Sequence, residues 1–224
     1  MNTNKVKVKR EETSVTVDVL IFTIENDTLK VLLVKRANEP YLGEWAIPGG
    51  FIKPGESLDE AAIRIAHDKT GVAQVYLEQL YTFGDPKRDP RSRVVTVAYY
   101  ALIPWENLKR PESEKVSEAR WQAVDDIPNL AFDHNKILSY AVERLRIKAD
   151  YSNIVYGLLP EKFRLSDLQK IYEIILGKNL DKRNFRKKMT DLDLLSPTGE
   201  KDIDGAHRPA MLYKFKRREV VFFD

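Results

Sequence analysis

The chain has 224 residues, 43% of them hydrophobic and 32% charged, which suits one large soluble domain or a medium domain with a small one. It contains no cysteine, which excludes disulfides and Cys-ligated zinc or iron–sulfur sites, and only three histidines (His67, His134, His207), which argues against a His-rich metal centre. Net charge is +3 but uneven: residues 1–150 hold 22 Lys and Arg against 23 Asp and Glu, residues 151–224 hold 15 against 11, and a basic C-terminal part hints at a nucleic-acid or membrane-surface partner.

The opening MNTNKVKVKREETS is charged but lacks the apolar stretch of a secretory signal. No apolar run approaches the roughly 20 residues that span a bilayer, so no membrane partner and a cytoplasmic location are expected.

SVTVDVLIFTI (14–24), turn formers at Glu25, Asn26 and Asp27, and LKVLLVKR (29–36) predict strand, turn, strand. WAIPGGFI (45–52) reads as a strand end running into a tight loop. Ser57 to Thr70 reads as helix, with Ser57 and Glu60 as a capping box, Gly71 as the stop, and Leu58, Ala61, Ala62, Ile65 and Ala66 on one face. VYLEQLYTF (75–83), RVVTVAYYALI (93–103) and ARWQAV (119–124) read as further strands. A second helix is expected over 132–149, capped by Asp133, with Ile137, Leu138, Ala141, Val142 and Leu145 buried. This order predicts an α/β (α+β) sandwich with a mixed sheet packed between helices over residues 13–150.

The character then changes. Leu165 to Leu176 predicts a short amphipathic helix, with Ser166 and Gln169 as its capping box and Leu168, Ile171, Tyr172 and Ile175 as its apolar stripe, ended by Gly177. Asp181 caps a second helix, DKRNFRKKMTDL, with Phe185, Met189 and Leu192 inward. SPTGEKDIDGAHRP is turn-rich, and AMLYKFKRR (210–218) alternates like a strand. Helix, turn, helix and hairpin predict a winged helix-turn-helix over residues 155–224.

Residues 50–72, GFIKPGESLDEAAIRIAHDKTGV, resemble the Nudix box: Gly50, Glu56, Arg64, Ala66, Gly71 and Val72 stand at its spacing, and the flanking WAIPGGF and LLVKR fit as well. The resemblance covers roughly residues 13–150. The three helix carboxylates of that motif fall here on Ile65, Asp68 and Lys69. A divalent cation such as Mg²⁺ needs oxygen ligands, which Ile65 lacks, and Lys69 puts a positive charge in the cation's place. Without the metal no water is activated and no leaving phosphate is neutralised, so no catalytic residue and no metal site are assigned. Glu56 and Arg64 are expected to form a structural ion pair.

The pocket of such a domain is expected to survive. GDPKRDPRSR (84–93) gathers Lys87, Arg88, Arg91 and Arg93, and Arg36 ends the second strand. Guanidinium forks suit pyrophosphate oxygens, so these five residues are the candidate effector contacts, against the plainer reading of a solvated charged loop. A second constellation is KNLDKRNFRKK (178–188). On a helix Lys182, Arg183, Arg186 and Lys187 cluster on one side, with Asn184 and Lys188 beside them, as in a recognition helix contacting phosphates and base edges. Lys201, His207 and Arg208 fall in the wing, where they too are candidates for DNA contact.

A degenerate Nudix domain followed by LPEKFRLSDLQKIYEIILGKNLDKRNFRKKM and RPAMLYKFKR resembles the Nudix-related transcriptional regulators of the NrtR type. That resemblance implies a homodimeric repressor of NAD biosynthesis or salvage genes on a pseudo-palindromic double-stranded operator. It implies ADP-ribose as effector and no required cofactor. A pentose sugar or sugar phosphate is the alternative effector. A slow ADP-ribose or nucleoside-diphosphate-sugar pyrophosphatase is the alternative function.

Overall fold

A computed structural model describes residues 12–73, 75–108, 119–202 and 209–223. Strand β1 (Ser14–Glu25) lies at the centre of a seven-stranded mixed sheet. It turns through Asn26 and Asp27, both with positive φ (50° and 62°), into antiparallel β2 (Thr28–Lys35). Two such residues give a hairpin turn whose twist matches the strands. β3 (Trp45–Ala46) pairs with β2 and β4 (Gly49–Phe51) with β1. After helix α1 (Leu58–Thr70) come β5 (Tyr76–Phe83), β6 (Val94–Leu102) and β7 (Ala119–Ala123). β6 runs parallel to β1 and antiparallel to β5, while β7 adds to β2.

β1 reads as a nearly unbroken apolar run because both its faces are covered. Val17, Val19 and Ile21 pack against Ala61, Ala62, Ile65 and Ala66 of α1. Leu20 and Phe22 point the other way, into a core shared with Ile137, Leu138, Ala141 and Leu145 of helix α2 (His134–Tyr151). Each fully buried Leu, Ile or Phe of this kind contributes roughly 1.5–3 kcal/mol. The capping box of α1 forms as expected: Glu60 N–H donates to Ser57 Oγ at 3.2 Å, Ser57 N–H donates to Glu60 Oε2 at 2.8 Å, and Gly71 ends the helix at φ 69°. In α2 two expectations need correcting. Val142 is only partly buried, and Asp133, though at the N-cap position, makes no capping bond: its backbone (φ −95°, ψ 20°) is not extended and its carboxylate is bonded to Arg88.

A buried 3-10 turn at Ile154–Leu158 leads to β8 (Phe163–Arg164), helix α3 (Leu165–Leu176), helix α4 (Lys182–Asp191), β9 (Leu195–Asp202) and β10 (Ala210–Phe215), with β10 between β8 and β9. The α3 stripe is buried as read from its spacing. Its cap is not Ser166 with Gln169. Arg164 holds the N-cap position, its N–H donating to Asp167 at 3.0 Å, and Gln169 instead donates to Leu180 O at 2.9 Å, tying the turn between the helices. Asp181 caps α4 by accepting Asn184 N–H at 2.8 Å. The turn-rich SPTGEKD is a strand after all. β9 lies at the edge of its small sheet, where Pro197 forfeits little by lacking an N–H.

One buried cluster runs from Phe22 and Tyr100 through α2 to Phe163, Phe185, Met189 and Phe215, so the two parts share a core. Gly157 permits this: a Cβ there would stand 2.8 Å from Leu102 Cβ and 3.0 Å from Tyr76 Cβ. The C-terminal residues lie across the junction as a strap. Arg218 donates to the carbonyls of Tyr156 and Leu159 at 2.8 and 2.9 Å, Val221 N–H donates to Asn153 Oδ1 at 2.7 Å, and Phe223 N–H donates to Tyr151 O at 2.7 Å.

Candidate ligand pocket and nucleic-acid interface

The Nudix-like turn folds as a closed electrostatic unit. Glu56 accepts Lys53 N–H at 2.8 Å and takes Arg64 Nε and Nη2 at 2.6 and 2.9 Å. The Arg64 hydrogen bond, helped by Lys53, holds the Glu56 carboxyl down at about 2. Ile65 is 4% exposed, inside the α1–β1 core, Asp68 is exposed, and Lys69 is half-buried. Among the described residues no group of three or more His, Cys, Asp or Glu is placed to hold a metal ion.

A cavity of about 210 Å³ opens where β1, β4 and the 84–93 loop meet the start of α2. Three of the five sequence-derived candidates line it: Arg36, Arg88 and Arg91. Lys87 projects from the loop outside, and Arg93 donates to Gly84 O at 2.7 Å, closing the base of the loop. Arg36 donates to Pro40 O at 2.7 Å and Asn38 O at 3.2 Å and, among the described residues, pairs with no carboxylate. Burial and the neighbouring Arg91 lower its pKa. Arg91 is clamped by Asp89 at 2.8 and 3.0 Å. Both guanidinium groups approach the Phe132 ring, at 4.6 Å for Arg36 and 5.9 Å for Arg91, and Tyr41 meets the same ring edge-on at 4.8 Å. Phe132 carries positive φ (57°), which turns it out of the helix start.

The floor is charged and buried. Arg88 bonds Asp133 Oδ1 at 2.8 Å and Oδ2 at 3.1 Å, and reaches Asp18 Oδ2 at 3.5 Å. His134 Nδ1 accepts Ile47 N–H at 3.0 Å, which leaves the proton on Nε2, 3.8 Å from Asp18. Burial pushes the His134 pKa below its ordinary value. Gly49 is required by this floor, since a Cβ there would fall 2.0 Å from Asp18 Oδ1. Asp18, Phe132 and His134 escaped the sequence reading. Asp18 had a visible signal, a lone acid inside an apolar strand. Phe132 and His134 read simply as the start of a helix.

On α4, Phe185 and Met189 face the core, while Arg183 and Lys187 project opposite them with Lys182 and Arg186 on one flank. Asn184 and Lys188 point to the other flank, into a cleft beside Asp150, with Lys188 Nζ 4.7 Å from the centre of the Phe223 ring. Lys201 is exposed on β9, and His207 and Arg208 lie outside the described residues. Among the described residues no helix is long and apolar enough to cross a membrane.

Sheet, box and appended helices together define a Nudix domain joined to a winged helix. Residues 14–144 match the NUDIX domain and residues 155–215 the NrtR DNA-binding winged helix domain. The ADPR responsive transcriptional repressor NtrR of Acinetobacter baylyi is 38% identical over 211 residues, covering 92% of this chain and 84% of that protein. The crystal structure of Shewanella oneidensis NrtR complexed with a 27mer DNA superposes with a TM-score of 0.83 at 41% identity, covering 90% of this chain and 93% of that one. The NUDIX domain of the same Shewanella protein, complexed with ADP ribose, gives 0.55 at 40% identity over 63% and 94% of the two chains. The chain belongs to the NrtR family.

Proposed function

We propose that the chain is a transcriptional repressor in which residues 13–150 sense ADP-ribose and residues 155–224 grip DNA. The observation that carries this reading is the pairing, within one core, of an arginine-rich cavity with an exposed basic face on α4. Arg36, Arg88 and Arg91 offer forked donors to a pyrophosphate, and Phe132 offers a ring for a base or sugar to lie against. That the Shewanella relative was crystallised with DNA and its NUDIX domain with ADP ribose supports the same assignment. A two-fold homodimer would present two α4 helices to the halves of a pseudo-palindromic operator, and a repressor of this kind would act in the cytoplasm.

Nudix hydrolysis implies a divalent cation, and the residues here do not fit one. Ile65 belongs to the core, Lys69 carries the wrong charge, and Glu56 is committed to Arg64. No hydrolytic step is assigned. The test is selection of bound DNA from a random pool, run beside an ADP-ribose turnover assay with Mg²⁺ and Mn²⁺. A palindromic winner and no turnover support a repressor, whereas turnover without an enriched sequence supports a pyrophosphatase.

A further inference from the structure

Asp133 occupies the N-cap position of α2, yet its carboxylate accepts no bond from the helix. An aspartate there ordinarily accepts the N–H of the second or third helical residue. Here both oxygens are spent on Arg88, at 2.8 and 3.1 Å. The Arg88 side chain is only 4% exposed, and it reaches Asp18 as well. Of the three cavity arginines, Arg91 is bound by Asp89 and Arg36 donates to carbonyl oxygens, while Arg88 is held by two carboxylates at the pocket floor.

We infer that Asp133 sets the affinity of the pocket by competing with the ligand for Arg88, and that the carboxylate so displaced carries the signal by capping α2. The inference rests on the reading of the cavity as an ADP-ribose site. A pyrophosphate entering the cavity offers Arg88 two or more charged oxygens. Asp133 then turns back, its backbone moving from φ −95°, ψ 20° to the extended region, to accept the N–H of Asn135, the second helical residue. α2 is the element on which this matters. Its 18 residues extend about 27 Å, and its far end is bonded to the winged helix. Arg146 donates to Ile175 O at 3.3 Å, Asp150 pairs with Lys178 at 3.4 Å, and Tyr151 stacks on Phe222. A change in how its first turn is fixed is therefore passed to the elements that position α4.

The experiment measures ADP-ribose affinity by calorimetry and operator affinity by anisotropy on the full chain and three variants, each checked by thermal melting. Asp133→Asn cannot ion-pair with Arg88 but still caps a helix. It should bind ADP-ribose about tenfold more tightly and, with the asparagine free to cap α2, weaken operator binding before any ligand is added. Asp133→Ala frees Arg88 equally but cannot cap, so it should bind as tightly while ADP-ribose shifts its operator affinity several-fold less than in the wild type. Arg88→Gln should weaken ADP-ribose about tenfold or more and, with Asp133 released to cap, weaken operator binding before any ligand is added. Unchanged or weaker ADP-ribose binding in a folded Asp133→Asn overturns the inference. So does equal operator affinity of the Asn and Ala variants in the absence of ligand. If Asp133→Asn does not fold, Arg88→Gln decides: wild-type operator affinity in it without ligand overturns the inference. If the wild type itself binds no ADP-ribose, the reading of the pocket falls and takes the inference with it.

Discussion

Glu56 and Arg64 face each other across the turn that leads into α1, two nitrogens of one guanidinium on two oxygens of one carboxylate at 2.6 and 2.9 Å. This bidentate pair spans eight residues and fastens the loop to the helix. It also commits the Glu56 carboxylate, so that Asp68 is the one acid at the three helix positions where the Nudix box carries them. The residue directly after Arg64, where the Nudix box carries an acid, is Ile65, which faces the strands rather than the solvent.

Returning acids to that helix therefore has unequal effects. Ile65→Glu buries a carboxylate against Val17, Val19 and Ile21, and should destabilise the fold by about 2–4 kcal/mol. Lys69→Glu, half in solvent, should change stability by about 0.5 kcal/mol or less. Urea denaturation of each single variant checks this. Equal stability of the two would contradict the placement of Ile65 in the core.

The geometry of α4 separates six exposed polar residues into two groups. Replacing Arg183 or Arg186 by Ala should weaken operator binding by about 1–3 kcal/mol if the side chain forks onto a guanine, and Lys187→Ala should reduce the salt slope by about one. Lys188→Ala should leave that slope nearly unchanged, since Lys188 turns toward Phe223. Anisotropy over a salt series measures all four.

His134 gives the fold a pH dependence whose sign follows from its environment. Burial is the main cause of its lowered pKa, aided by Arg88 and Arg36 and opposed by Asp18 and Asp133. The unfolded chain, titrating near 6.5, binds more protons than the folded one below that pH. Stability is therefore full above 6.5 and falls as pH drops from there toward the folded value, by at most about 1.4 kcal/mol per unit from this one group. His134→Gln should flatten the slope of denaturation free energy between neutral and mildly acid pH, and an unchanged slope would assign it to other groups.

Gly157 tests the shared core. Gly157→Ala forces a methyl group against Leu102 and Tyr76 and should destabilise by about 1–3 kcal/mol, through separation of the winged helix from the sheet rather than loss of the sheet itself. Hydrogen exchange would show faster exchange in α3 and α4 with β1 and β6 still protected.

Most of the fold was legible because its elements announce themselves locally. The β-branched runs, the Ser57 and Asp181 caps, Gly71 and Gly177 and the two apolar stripes all fall where short-range chemistry requires them. The misreadings share a different cause. Asp133 looked like a cap until Arg88, 45 residues earlier, was brought onto it, and Ser166 lost its role to Arg164 and Asp167 through a competing local pair. The pocket was half legible. Arginines at a loop suggested anion binding, but Phe132 and Asp18 enter it only through a positive φ and a strand register, neither of which a linear pattern displays.

The most direct measurement is the fluorescence anisotropy of the full chain on its selected operator while ADP-ribose is added, with Phe132→Ala as companion. Loss of the bound signal in the wild type, at concentrations that must rise about tenfold in the variant, is the expected result. A complex that persists at saturating ADP-ribose would contradict the assignment of this cavity as the sensor of that ligand.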